Sequence, residues 1–252
     1  MGSCLIGQTG FVGGNLHRQR SFDALFRSTD IHTIEPHYDL VVCAGINAVK
    51  WKANQDPAAD RAGITPLRAA LEGVTADRFV LISTVDVYPS VRDVDESTDP
   101  HAAPNHAYGS HRLAFEDFVR DRFPRHHVIR LPGLYGPGLK KNVLYDLLHD
   151  HRCAFIDPAA RFQWYDVRRL WADVERVIAA GLPLVNLVPE PVATGAIVPG
   201  LFDDRVLADP SDAPWEYRIR TRHADLFGGR DGWITTADDV LRGIRGWVRT
   251  AR

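Results

Sequence analysis

The chain has 252 residues, 45% hydrophobic and 25% charged, with a formal net charge of −2. At roughly 100–200 residues per domain this suits one large domain or one domain with an appendage, and it excludes a disordered chain and an electrostatic nucleic-acid binder. No apolar run approaches the roughly 18 residues of a membrane span, no charged n-region opens the chain, and Cys4, Cys43 and Cys153 are too scattered for a disulfide framework, so a soluble cytoplasmic protein is expected.

In chain order, the apolar run 3–6 predicts a strand that stops at Gly7, and residues 11–20 a short helix carrying Gly14. A second strand is predicted at 24–26, a third over 38–45, and a fourth over 79–83, whose near-continuous apolar character suits burial on both faces. Residues 57–73 have helical spacing (Ala62, Ile64, Leu67, Ala70, Leu71) with Gly73 as a stop. A long amphipathic helix is predicted over 108–123, a strand over 128–131, a helix over 167–180 and a strand over 184–188. The stretch 189–214 reads as irregular, and 233–248 as a closing helix started by Thr235 or Thr236. Short apolar strands alternating with helices imply an α/β fold, a doubly wound parallel Rossmann sheet with a small C-terminal cap. The predicted division is 1–138 plus 164–188 for the sheet domain, and 139–163 plus 189–252 for the cap.

Gly7-Gln8-Thr9-Gly10-Phe11-Val12-Gly13 is a G-x-x-G-x-x-G directly after a strand and at the mouth of a helix. Glycines there let backbone approach closely, and the helix N-terminal N–H groups face a pyrophosphate, so a dinucleotide site is expected. About 20 residues beyond the first glycine, at the tip of the second strand, an acidic side chain would bind the 2′-hydroxyl of NAD. Arg27 and Ser28 stand there instead, a pair suited to the 2′-phosphate of NADP, with a solvated surface arginine as the plainer reading. NADP(H) is therefore expected over NAD(H), with Asp30 and Ile31 meeting the adenine edge.

Five ordered motifs follow one another: GQTGFVG at 7–13, DLVVCAG at 39–45, STVDVY at 83–88, YGSHR at 108–112 and RLPGLYGPG at 130–138. In this order the chain resembles the extended short-chain dehydrogenase/reductase superfamily, especially its nucleotide-sugar epimerases, dehydratases and reductases, over residues 3 to about 188. The resemblance implies that Cys43, Ala44 and Gly45 border the adenine, and that the backbone of Pro132, Gly133 and Leu134 holds the nicotinamide carboxamide. It implies Tyr108 as general acid/base at a carbinol or carbonyl oxygen, and Thr84 as hydrogen-bond partner of that oxygen. The fourth residue after the tyrosine is normally a lysine that binds the nicotinamide ribose and lowers the tyrosine pKa, both residues lying on one helix face.

Here that residue is Arg112, whose charge favours a phenolate but whose planar fork does not reproduce an ammonium. Only four of the 30 basic residues are lysines (Lys50, Lys52, Lys140, Lys141), a bias that suits a lysine-to-arginine replacement with activity kept; a domain that binds cofactor without turnover is the other reading. The Asp–Glu pair of the family's dehydratases is Val85-Asp86, which disfavours 4,6-dehydration and leaves Asp86 a substrate contact or a strand-end cap. Lys140 and Asn142 fall where the family meets a sugar-nucleotide diphosphate, and Gln163 and Tyr165 where it lines the substrate pocket, although such positions are also ordinary surface and core. His149, His151 and Cys153 offer no complete zinc set, so no metal is expected. The expected activity is reduction of a keto group on a nucleotide-activated sugar or similar polar small molecule, with an epimerase and a non-catalytic NADP(H) sensor as alternatives. The family's members usually carry a larger C-terminal portion, so a pocket that is shallow or completed by a partner subunit is expected, and a homodimer with it.

Overall fold

In the computed structural model, which describes residues 2–251, the apolar runs become strands of a parallel sheet. In chain order the strands are β1 (Ser3–Ile6), β2 (Ala24–Phe26), β3 (His37–Cys43), β4 (Thr75–Thr84), β5 (Arg92–Val94), β6 (His126–Leu131), β7 (Gly133–Tyr135), β8 (Arg161–Phe162), β9 (Trp164–Asp166), β10 (Leu184–Asn186), β11 (Val192–Ala193) and β12 (Arg218–Ile219). The helices are α1 (Phe11–Gln19), α2 (Lys50–Gln55), α3 (Pro57–Glu72), α4 (Ala107–Arg122), α5 (Val143–His149), α6 (Leu170–Ala179) and α7 (Ala237–Ala251).

The chain divides into two compact units. The first comprises Met1–Pro89, Glu96–Leu131 and Arg169–Asn186, and holds a six-stranded sheet in the order β10-β6-β4-β3-β1-β2. Every pairing in it is parallel, and the register runs Ile6 to Cys43, Cys43 to Leu81 and Thr84 to Leu131. Parallel neighbours need helical crossovers that cover the sheet, which is why β3, β4 and β6 are apolar on both faces. Phe79 on β4 stacks on Phe123 after α4 at 4.1 Å, with Leu71, Val119 and Val128 in the same core. The strand order reverses between β1 and β3, so the carboxyl tips of those strands flank the crevice where open α/β sheets bind ligands.

The second unit comprises Ser90–Asp95, Pro132–Arg168 and Leu187–Arg252, and has its own core of Leu144, Leu147, Trp164, Phe202, Ile244 and Trp247. Its small sheets pair β7 with β9, β8 with β11 and β5 with β12. The division falls at 131/132 and not at the expected 138/139, because Gly133–Tyr135 pairs with Trp164–Asp166 and takes 132–138 and 164–168 into the second unit.

Several element boundaries also differ from expectation. The last strand of the sheet ends at Asn186, whose N–H is bound by the Glu96 carboxylate at 2.7 Å. The closing helix begins at Ala237, after Thr236, whose hydroxyl accepts from Asp239 N at 3.3 Å. α2 was unforeseen: of its six residues only Ala53 is buried, so no apolar period marks it. Among the described residues no helix is long and apolar enough to cross a membrane.

Candidate active site

The glycine motif turns sharply at the crevice. Gly7 has φ +90°, and a Cβ there would run into the Ala44 carbonyl at the tip of β3. A Cβ on Gly13 would strike the Gly7 carbonyl, so this glycine lets α1 lie against the turn. Gly10 is the N-cap of α1 and makes no side-chain cap, and the first turn carries no acidic residue. A Cβ at Gly10 would meet only the Gly7 carbonyl oxygen, at 3.3 Å. The N-terminal N–H groups of α1 are thus bare of side-chain partners and approachable past Thr9, Phe11 and Val12, and they suit a pyrophosphate. The cradle fits the dinucleotide that the motif implies.

At the tip of β2, Asp30 accepts hydrogen bonds from Arg27 N at 2.6 Å and from Arg27 Nε at 3.1 Å. The Arg27 backbone bond, more than the guanidinium, holds the Asp30 carboxyl below its usual range against some burial. The Arg27 side chain is 58% exposed and Ser28 is exposed, so both remain accessible. Ile31 is different: it is packed into the hydrophobic core and cannot present its side chain to an adenine. Cys43 is buried, its thiol pushed up to about 12 by that burial, while the Ala44 N–H is spent on the Ile6 carbonyl at 2.9 Å.

Thr84 ends β4, and its hydroxyl accepts from Asp86 N at 3.1 Å within the turn Val85–Val87. Tyr108 sits in the first turn of α4, buried, with Thr84 beside its phenol. Its amide donates to Asn54 Oδ1 of α2 at 3.0 Å. α4 can approach this turn because residue 109 is glycine: a Cβ there would collide with Asn105 and the Asp86 carbonyl. Asn105 in turn donates to the carbonyls of Asp86 and Val87 at 2.9 and 3.0 Å, fixing the turn. His106 caps α4 by accepting from Gly109 N at 3.0 Å, and burial followed by the charge of Lys50 pushes its pKa down. Lys50 Nζ meets Asp86 Oδ1 at 2.8 Å.

Arg112, expected at the nicotinamide ribose, is committed elsewhere. Nη1 donates to Asp60 Oδ2 and to the Tyr108 carbonyl at 3.3 Å; Nη2 donates to Asp60 Oδ1 at 2.9 Å and to the Asn47 carbonyl. Of the five N–H donors of a guanidinium only that on Nε is left, buried without a partner. The guanidinium carbon lies 4.0 Å from the Tyr108 ring centroid. Asp60 also receives His111 Nδ1 at 2.7 Å; burial opposes its ionisation, but the Arg112 and His111 bonds win and hold the carboxyl low. The phenol of Tyr108 is pushed up to about 12, by burial first, against the charge of Arg112. Asp60, Lys50, Asn54 and Asn105 were all missed from sequence; the one available signal was Lys50, a rare lysine in an arginine-rich chain.

Four expected substrate contacts lie in the second unit, and two have structural work there. Gln163 is 1% exposed; Nε2 donates to the carbonyls of Pro189 and Ile219, and Oε1 accepts from Ile219 N. It ties loops together and has no free polar atom to line a pocket. Asn142 Oδ1 caps α5 at Leu144 N and Tyr145 N, and Nδ2 donates to the Leu134 carbonyl at 2.8 Å, so it is likewise occupied. Tyr165 is buried and Lys140 exposed. Pro132 opens the second unit, and Gly133 and Leu134 lie in β7. His151 pairs with Asp146, and the described group whose ligand atoms converge within 4.8 Å is His37, Asp39 and Asp77, not His149, His151 and Cys153.

Comparison with known proteins agrees with this fold. A dTDP-4-dehydrorhamnose reductase from Clostridium acetobutylicum is 16% identical, with 98% of this chain and 99% of that one covered at a TM-score of 0.73. UDP-glucose 4-epimerase from Thermotoga maritima, solved with UDP-glucose, is 16% identical over 99% and 98% at 0.72. RMD from Pseudomonas aeruginosa, complexed with NADPH, is 20% identical over 99% and 100% at 0.73. These likenesses establish the fold. No curated protein matches the sequence. The NAD dependent epimerase/dehydratase family model matches residues 6–151, which span the glycine cradle, Thr84, Tyr108 and Arg112, and the chain belongs to that family.

Proposed function

We propose that this chain is an NAD(P)-dependent oxidoreductase that reduces a keto group of a nucleotide-activated sugar or a similar polar substrate. The observation that carries the reading is the placing of Thr84 beside the buried Tyr108 phenol at the carboxyl edge of the sheet whose β1 tip holds the glycine cradle. A bound nicotinamide supplies the hydride exchange. The chain's own residues do the rest: Thr84 orients the substrate oxygen, and Tyr108 Oη hands it a proton. Asp86, held by Lys50, stands one turn away as a substrate contact. The backbone of Pro132, Gly133 and Leu134 is assigned to the carboxamide, and Lys140 and Tyr165 to the substrate side. Arg27 and Ser28 favour NADP(H) over NAD(H). Likeness to reductases and to a UDP-glucose epimerase supports the substrate class. The chain is assigned to the cytoplasm, in keeping with its three free, buried cysteines, and to a homodimer that light scattering would detect.

The test is consumption of NADPH against a panel of 4-keto nucleotide sugars. Stoichiometric oxidation is expected, and Tyr108→Phe should lower the rate by about 10²–10⁴-fold. Turnover without net NADPH consumption would identify an epimerase instead. A second reading, a sensor that binds cofactor without turnover, is favoured by the commitment of Arg112 to Asp60 and Asn47. Tight NADPH binding with no turnover across the panel would establish it.

A further inference from the structure

The anchor of the site is also where it departs most from its family: the cation beside Tyr108 is paired before any ligand arrives. Resting on the reductase reading above, we propose that Asp60 is a positioning residue for Tyr108. By gripping both Nη groups of Arg112 it turns that arginine from a ribose ligand and bare cation into a neutralised plate against the phenol. Tyr108 then serves as a proton donor to a carbonyl under reduction and not as a base toward a carbinol.

The geometry supports each part. Four of the five guanidinium donors are taken, three of them by Asp60 and the Asn47 carbonyl and one by the Tyr108 carbonyl, so no pair of N–H groups remains for two ribose hydroxyls. Asp60 is fixed by the start of α3, where Asp56 caps the helix, and by His111 on its other side. The pair is almost wholly buried, 3% and 8% exposed, and so is little screened by solvent.

The other charged groups facing Tyr108 balance one another. Asp86, from the turn after β4, disfavours a phenolate and is itself held by Lys50 of α2. His106, the N-cap of α4 two residues before Tyr108 and with its ring 6.2 Å from the Tyr108 ring, accepts a backbone N–H at Nδ1 and is neutral in that arrangement. Two cations and two carboxylates thus surround a buried phenol with no net charge to draw its proton off. A free guanidinium at 4.0 Å would favour the phenolate; one bound on both arms by a carboxylate does so far less.

The proton balance is simple. As the carbonyl carbon gains a hydride from a reduced nicotinamide, its oxygen takes the proton from Tyr108 Oη, and the phenolate left behind regains a proton from water. The reverse reaction needs the phenolate first. Reduction should therefore be flat in pH across neutrality, while carbinol oxidation rises about tenfold per pH unit.

The decisive measurement needs no substrate or cofactor. The phenolate absorbance of the wild-type chain minus that of Tyr108→Phe, followed against pH, isolates the titration of Tyr108. No phenolate signal is expected from Tyr108 below about pH 9. Asp60→Asn should move the transition down by about one pH unit or more, and Asp60→Glu should return it toward the wild-type position. Should Asp60→Asn not fold, Asp60→Asn/Arg112→Met removes both charges together and should leave the transition where the wild type has it. Ionisation of wild-type Tyr108 near neutrality, a folded Asp60→Asn with an unmoved transition, or a large drop in the double variant would each overturn the proposal. Because the titration is read on the free chain, the expected result with no keto sugar reduced would defeat the reductase reading and leave the role of Asp60 standing.

Discussion

Arg27 and Asp30 show how little a single side chain's identity settles until its neighbours are known. Position 27 marks the ribose discriminator by distance along the chain, yet the guanidinium is already paired to Asp30 through Nε. Both side chains of the pair are open to solvent, 58% and 36% exposed, so the ion pair is weak and readily exchanged for a phosphate. Arg27→Ala should weaken NADPH binding about 10–100-fold and barely change NADH, as read by nicotinamide fluorescence titration. Equal losses for the two cofactors would show that Arg27 does not read a 2′-phosphate. Gln163 and Asn142 make the same point in the other direction: amides placed by resemblance at a substrate are used up by backbone partners.

At the scale of elements, α4 carries both halves of the site's architecture. Its first two turns hold Tyr108 and Arg112, and one turn further on Glu116 enters the core at 0% exposure. Glu116 accepts from Arg130 Nε and Nη2 of β6, from Arg120 and, at 2.5 Å, from the Ser83 hydroxyl beside Thr84. The network locks α4 to β4 and β6, and so sets where Tyr108 meets Thr84. Glu116→Ala would leave Arg130 buried and unpaired and should cost about 3–5 kcal/mol in urea unfolding. A loss of well under about 1 kcal/mol would show that Arg130 finds another partner or water.

Most elements were legible. The strands 3–6 and 24–26 and the helix 57–72 lie where period and stop signals put them, since burial of one or both faces is written into the spacing of apolar residues. α2 escaped because it buries one residue of six, and β4 begins earlier than its apolar stretch, at Thr75, because pairing with His37 and Tyr38 extends it. Backbone pairing leaves no trace in composition.

For the molecule as a whole, acid should be the destabilising direction. Burial, ahead of other causes, holds His106 and His127 below the ordinary 6.5, so the folded state prefers them neutral. Their contribution is complete above the unfolded value and is lost as pH falls through the lower folded values. Asp60 is held below 3.8 because the Arg112 and His111 bonds outweigh burial, so its contribution is lost only as pH falls below that range. Urea stability should decline first on going below about pH 6.5, and again below about pH 4. His127→Gln should lessen the first decline, leaving the share of His106, and should not change the second; stability that holds level or rises between pH 7 and 5 in the wild type would contradict the assignment.

The sequence alone determined the family, the parallel sheet and the glycine turn, and it singled out Tyr108 and Thr84 as candidates, because each depends on residues near one another in the chain: a period, a glycine spacing, a strand-end motif. Only the tertiary structure decided how the site is charged. Asp60 lies 52 residues from Arg112 and Lys50 lies 36 from Asp86, so those pairings are made by the packing of α2, α3 and α4 against the sheet and not by any local spacing. The sequence marked Arg112 as a substitution in a cofactor anchor; the fold shows an arginine already bound, because a buried guanidinium must be paired, and Asp60 is the carboxylate the crossover brings to it.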